Sequence, residues 1–304
     1  MSRRSAIVFG GGGFIGTNLC RRLASSGYEV RAFGHSCLFP QALAEVEWIS
    51  GDFADRSAVA RALEPGAIVF HLIHSTLPHA ASQSSSDTQG TITPTLGLLD
   101  ACRTAGVARV VFVSSGGTVY GNATHIPTPE TTPSAPITPY ALSNVAIEQS
   151  LALCHKRDGL EYRVLRAGNP YGPFQTANRN QGVIATMIKR ALGGDKIDIW
   201  GDGSVVRDFV YIDDLIDALL LSAETNSHHR IFNIASGRGR SVSEIIAAIA
   251  EALHRPVEIN WLPGRPSDVA VSVLAIDRAK EVLGWAPKVG FVEGLERTIS
   301  WWQR

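Results

Sequence analysis

The chain has 304 residues, enough for one large domain or two modest ones with a real core. Lys plus Arg and Asp plus Glu both count 28, so the formal net charge is zero and nothing in the balance resembles a nucleic-acid footprint. Hydrophobic residues make up 45%, typical of a globular protein, and no apolar run approaches the ~20 residues a membrane helix needs, so neither nucleic acid nor membrane is expected as a partner.

Met1-Ser2-Arg3-Arg4 has the look of a signal-peptide start, but a glycine-rich turn follows in place of a hydrophobic segment, and a signal peptide is rejected. The next run, Ala6 to Phe9, suits a buried strand. Gly10, Gly13 and Gly16 then stand as G-x-x-G-x-x-G, with Phe14 and Ile15 opening a helical pattern. Glycines at this spacing let the backbone turn sharply, approach a pyrophosphate and pack the helix on the sheet, while the helix N-terminus offers free N–H groups to the phosphates. Strands are predicted over 5–10, 28–33, 46–49, 67–72, 109–114 and 161–167, and helices over 14–26, 56–62, 89–105 and 140–158. That alternation implies an α/β fold, a parallel sheet with helices on both faces. Ser82 to Asp87 reads as a polar loop. The stretch from Ile126, with Pro127, Pro129, Pro133, Pro136 and Pro139, reads as an ordered loop. After about residue 168 the pattern loosens. Residues 1–168 are read as the dinucleotide-binding domain and 169–304 as mainly a smaller substrate lobe, with the chain crossing between them more than once. Cys20, Cys37, Cys102 and Cys154 show neither C-x-x-C nor metal-ligand spacing and read as reduced thiols of a cytoplasmic protein. His71, His74 and His79 lack an obvious convergent geometry, so pocket lining is preferred and no metal is expected.

Further motifs follow in order: Gly51-Asp52, His71-Leu72, Ser114-Ser115 ahead of Val119-Tyr120-Gly121, Tyr140 on the first turn of a helix, Asn169-Pro170-Tyr171-Gly172, Trp200-Gly201-Asp202-Gly203 with Arg207-Asp208, Arg265-Pro266-Ser267-Asp268, and Leu283-Gly284-Trp285. With the glycine turn, these make the chain similar to the extended short-chain dehydrogenase/reductases. The resemblance lies in their nucleotide-sugar epimerase/dehydratase group and is greatest to the 4-epimerases of UDP-hexoses. It covers nearly the whole chain and implies a Rossmann-type doubly wound parallel sheet, bound NAD, a UDP-hexose substrate and a homodimer through the helices 89–105 and 140–158. It implies cofactor contacts from Gly10, Gly13, Phe14, Ile15, Gly16, Gly34, His35, Asp52 (at the adenine), Phe53, His71 and Leu72. Substrate contacts would come from Asn169, Arg207, Arg265 and Asp268, the arginines clamping the pyrophosphate; the alternative for them is surface pairing with Asp208 and Asp268. Tyr140 would be the acid/base at the sugar O4 during a transient oxidation of C4.

The chain departs from the family pattern in several places. Asn144 stands where the family's Tyr-x-x-x-Lys has its lysine. The serine or threonine that assists the tyrosine is replaced by Gly116, leaving Ser115 or Thr118 for that role, and Gly117-Thr118 replaces the acid pair a 4,6-dehydratase needs. Thr91 stands where the family often has asparagine, a change most simply read as helix packing. Gly34 stands where an acid on the second strand marks NAD, which leaves NADP open with His35 and Ser36 as donors. The primary expectation is a nucleotide-sugar 4-epimerase using NAD, slowed by the missing lysine. The alternatives are an NADPH-dependent keto-sugar reductase and a catalytically impaired nucleotide-sugar or dinucleotide-binding protein.

Overall fold

Short apolar runs separated by amphipathic stretches can bury both faces only as a covered parallel sheet, and the first half of the chain does so. The computed structural model describes residues 4–74, 85–177, 182–264 and 269–304. Strands β1 (Ser5–Phe9), β2 (Glu29–Gly34), β3 (Glu47–Ser50), β4 (Ile68–His71), β5 (Arg109–Ser115) and β6 (Tyr162–Ala167) are interleaved with helices α1 (Phe14–Ser25), α2 (Arg56–Ala62), α3 (Ser85–Ala105), the single turn α4 (Gly116–Val119) and α5 (Pro139–Asp158). The second half contributes β7 (Asn169–Tyr171), α6 (Val183–Gly193), β8 (Ile197–Trp200), β9 (Val206–Tyr211), α7 (Ile212–Glu224), β10 (Ile231–Ile234), β11 (Gly239–Ser241), α8 (Val242–Ala252), β12 (Ile259–Leu262), β13 (Val271–Ser272), α9 (Asp277–Leu283) and α10 (Phe291–Trp302).

The main sheet has seven strands in the order β10-β6-β5-β4-β1-β2-β3, all parallel. Alternate residues of β1 enter opposite cores: Ala6 and Val8 pack on one side, Ile7 and Phe9 on the other. The order reverses between β1 and β4, and a crevice outside the carboxyl ends of the strands opens at such a switch point. Gly10 follows β1 and Leu72 follows β4, so both flank that point.

One sequence expectation shifts. Helix α3 starts at Ser85, four residues before the predicted start and inside the stretch read as a polar loop. Serine and aspartate suit a helix's first turn as well as a loop, and composition alone does not separate the two. After β5, Gly116 to Val119 form a helical turn. Helix α5 begins as its sequence dictates: Thr138 Oγ1 accepts from Ala141 N at 3.2 Å and Pro139 takes the first position, where its missing N–H costs nothing.

The chain recrosses after β7. Strand β10 pairs with β6 at the edge of the main sheet, whereas β7, β11 and β13 all pair with β9 in a separate small sheet, and β12 pairs with β8 in a third. Trp285, 2% exposed, donates its indole N–H to Asp214 O at 2.9 Å and pins the C-terminal segment to α7. Among the described residues no helix is long and apolar enough to cross a membrane.

Candidate functional site

The glycine turn leaves no room for side chains at Gly11, Gly12 and Gly16. A Cβ on Gly16 would lie 2.1 Å from Gly10 O, one on Gly12 2.2 Å from Ser36 O, and one on Gly11 2.6 Å from Ala32 Cβ. Gly10 has φ +89°, a conformation that favours glycine. Gly13, by contrast, faces open space beyond Gly10 O at 3.4 Å. Helix α1 starts there with no side-chain cap and no acid in its first turn, so the amides leading into Phe14 and Ile15 keep their affinity for an anion. Gly34 ends β2, and His35 and Ser36 are exposed just beyond it. Asp52 is exposed after β3, and its Oδ1 accepts from Ala54 N at 2.8 Å within its own turn.

Beyond β4, Leu72 backs Gly10, 3.3 Å from the Cβ an alanine would place there. His71 lies between the Phe53 and Phe112 rings, with centroids 5.3 Å from each. The Thr95 hydroxyl donates to Thr91 O at 2.8 Å, so it accepts from His71 Nε2 at 3.0 Å. His74 Nε2 donates to Val113 O at 3.1 Å. Burial pushes His71 down to about 3 and lowers His74 as well, so both rings are neutral. Among the described residues no three ligand-type side chains converge on a metal position; His79 lies outside the described residues.

Tyr140, Asn144 and Glu148 recur every fourth residue on α5 and so share one face. Tyr140 is partly exposed, and its ring lies 5.5 Å from that of His74. Burial pushes the phenol's pKa up; hydrogen bonding from the Asn144 and Ser115 side chains acts against it, and no cation among the described residues does. Ser115 is thus brought to Tyr140. Thr118 is not: its hydroxyl turns back to Ser115 O at 3.4 Å. A side chain on Gly116 would meet Leu274 Cδ1 at 2.4 Å, so the loss of the usual hydroxyl there is matched by leucine packing. Asn144 is fully buried; its Nδ2 donates to Tyr140 O at 2.9 Å, and its Oδ1 has no donor among the described residues.

Gly117 looks across at the small lobe, with Asn169 Nδ2 at 3.8 Å and Ser272 Oγ at 3.9 Å from its would-be Cβ. Asn169 Nδ2 also donates to Asp208 O at 3.3 Å. Arg207 on β9 donates to Val206 O at 2.9 Å and Val269 O at 2.6 Å, and stands directly opposite Arg240 of β11. Asp208 is buried. It accepts from Ser236 N at 2.8 Å, Ser236 Oγ at 2.5 Å, Gly237 N at 3.0 Å and Leu274 N at 3.2 Å, so it is a tie between strands and not a surface carboxylate. Arg265 and Asp268 lie outside the described residues.

Sequence reasoning missed three features here. Trp48 reaches the glycine turn from β3, Ser272 faces the crevice from β13, and Glu148 pairs with Arg166 behind the site. The fourfold spacing of Tyr140, Asn144 and Glu148 was a usable signal for the last. Trp48 and Ser272 come from strands whose neighbours only the fold reveals.

A parallel doubly wound sheet, a glycine turn at its switch point and a tyrosine facing that crevice from a helix start define the class. The chain belongs to the NAD dependent epimerase/dehydratase family, whose model matches residues 6–235. A UDP-glucose 4-epimerase of Mycolicibacterium smegmatis is 33% identical, over 98% of this chain and 98% of its own. The structure of UDP-glucose 4-epimerase from Thermotoga maritima with UDP-glucose matches at a TM-score of 0.93 and 34% identity, covering 98% of each chain. That of the Thermus thermophilus UDP-glucose 4-epimerase with NAD matches at 0.91 and 33%, covering 98% of this chain and 99% of its own.

Proposed function

We propose that this chain interconverts the C4 epimers of a UDP-hexose, with NAD held at the Gly10–Gly16 turn. The observation that carries the reading is Tyr140, grouped with Ser115 and Asn144 at the carboxyl edge of the sheet, where the crevice meets the small lobe. The residues fit the cofactor: the glycine turn admits a close phosphate and excludes a Cβ at Gly11, Gly12 and Gly16, and the buried Asn144 Oδ1, without a donor among the described residues, suits a ribose hydroxyl. Bound NAD supplies reversible hydride acceptance from the sugar carbon. Tyr140 holds and returns the proton of the sugar hydroxyl, and Ser115 and Asn144 orient the phenol. Asn169 and Ser272 line the sugar side. Arg207 and Arg240 stand opposite each other across an antiparallel pair, and guanidinium groups suit an anion such as a diphosphate.

The test is direct. Purified protein incubated with UDP-glucose is expected to produce UDP-galactose, and mass spectrometry of the small molecules it releases on denaturation is expected to show NAD. Protein that carries no dinucleotide and binds none by calorimetry sinks the reading. A keto-sugar reductase is the second reading. Gly34 favours it, and a dTDP-4-dehydro-6-deoxyglucose reductase of Escherichia coli is 28% identical over 98% of this chain. Steady NADPH oxidation by a 4-keto sugar without epimerisation would select it.

The proposal includes a homodimer through α3 and α5. Leu96, Leu142 and Leu153 on these two packed helices are 42%, 50% and 60% exposed, an apolar surface that a second copy would cover. Light scattering is expected to give twice the chain mass; a monomer at micromolar concentration overturns this part.

A further inference from the structure

The end of β2 is where a dinucleotide fold of this type usually distinguishes NAD from NADP, through a carboxylate that binds the ribose hydroxyls or an arginine that takes the extra phosphate. Position 34 here is glycine, and the space beside it is filled. A Cβ on Gly34 would lie 3.1 Å from Trp48 Cη2, and one on Gly12 would lie 2.9 Å from the same atom. The indole, carried by β3, therefore wedges between the glycine turn and the tip of β2. The loop beyond is tied to the turn as well, since Leu38 N donates to Gly12 O at 3.3 Å. What remains open at this end is the exposed pair His35 and Ser36. The nearby Asp52 folds its Oδ1 back onto Ala54 N.

We propose that Gly34 and Trp48 act as a matched pair that sets cofactor selectivity: the indole occupies the volume a carboxylate would need, and the adenosine end of the site accepts NADP(H) alongside NAD(H). The inference rests on the dinucleotide reading above and deepens it. With no acid on β2, the 2′-phosphate meets no repulsion there and the 2′-hydroxyl loses its acceptor, so both effects compress the difference between the two cofactors. Aromatic and small residues at 48 and 34 depend on each other, because an acid at 34 needs a smaller neighbour.

The experiment is competitive binding, read by native mass spectrometry of the full chain incubated with an equimolar mixture of NAD⁺ and NADP⁺. Both adducts are expected, with occupancies within about tenfold of each other, on the scale where 1.4 kcal/mol is one decade. In a Gly34→Asp/Trp48→Ala double variant, the preference is expected to move to NAD by ~100-fold or more, the size of two such decades. Gly34→Asp alone is expected to melt below the double variant, because its side chain meets the indole. A wild-type preference for NAD of ~100-fold or more, two decades on the same scale, overturns the proposal and leaves the dinucleotide reading standing. So does a double variant that keeps the wild-type ratio. Binding of neither cofactor overturns the dinucleotide reading itself and this proposal with it.

Discussion

An Asn144→Lys variant is expected to turn over a UDP-hexose at pH 7 about 10²–10³-fold faster than the natural chain, the gain a nearby cation gives a phenol that must ionise. Burial raises the Tyr140 pKa, and among the described residues only the neutral Asn144 and Ser115 side chains oppose that rise. A unit charge about 4 Å away at an effective dielectric near 20 is worth about 4 kcal/mol, or roughly three pKa units. The sign follows from the role. In the proposed role the phenolate is the base, a raised pKa reserves it for alkaline solution, and the natural chain's rate is therefore expected to climb as pH rises past neutrality. The lysine variant moves that climb to lower pH and leaves the alkaline plateau nearly unchanged. Rates measured across pH 6 to 10 separate this from a packing effect, which would scale the whole profile. Tyr140→Phe provides the control: it is expected to lose about 10²–10⁴-fold in rate at every pH, the usual worth of a positioned acid/base. If the natural chain already turns over on a pH-independent plateau at pH 7 and the lysine adds nothing, the missing charge does not limit it.

The first half of the fold was legible because its signals are local. Strands β1, β4 and β5 are apolar runs between turn residues, and helix α2 carries a local start signal, with Asp55 accepting from Ser57 N and Ala58 N. Strand β10 was missed for the opposite reason. Ile231 to Ile234 is four residues with no periodicity to read, and only its pairing with β6 makes it part of the main sheet. The site divides in the same way. Gly10, Gly13, Gly16 and Tyr140 carry their chemistry in local spacing. The choice between Ser115 and Thr118 was not readable, since it depends on which hydroxyl the α4 turn aims at a residue on another helix. Nor was the consequence of Gly34 or Gly116. Each absence is filled from far along the chain, by Trp48 in one case and Leu274 in the other. A missing side chain is visible in a sequence, but what replaces its volume is a tertiary fact.

Glu148→Ala is expected to destabilise the protein by about 3–5 kcal/mol, because it strands a buried guanidinium. Arg166 and Glu148 are 5% and 2% exposed at their side chains and pair at 2.6 Å. The Arg166 Nε also reaches Glu148 Oε1 at 3.1 Å, and Ser114 Oγ donates to the same oxygen at 2.6 Å. Arg166 stacks over the Tyr120 ring at 4.8 Å, and Tyr120 in turn donates to Asn233 Oδ1 at 2.7 Å. The carboxylate therefore joins α5 to β5 and β6 directly, and to the start of the 233–236 segment through the arginine. Removing it leaves the Arg166 charge, 5% exposed at its side chain, without this counter-ion. Replacing both partners by methionine is expected to recover most of the loss, since a buried pair contributes little net stability beyond well-packed apolar groups. Denaturant unfolding of the two variants reads the difference, and a loss below ~1 kcal/mol in Glu148→Ala, the range of an exposed pair, would mean that water reaches Arg166. The position of Glu148 gives the result a functional side. It sits two turns beyond Tyr140 on the same helix face, so the tie that fixes α5 against β5 also fixes the phenol against Ser115. The methionine pair is therefore expected to restore stability while restoring turnover less completely, because it fills the volume and holds the helix register with no directed bond.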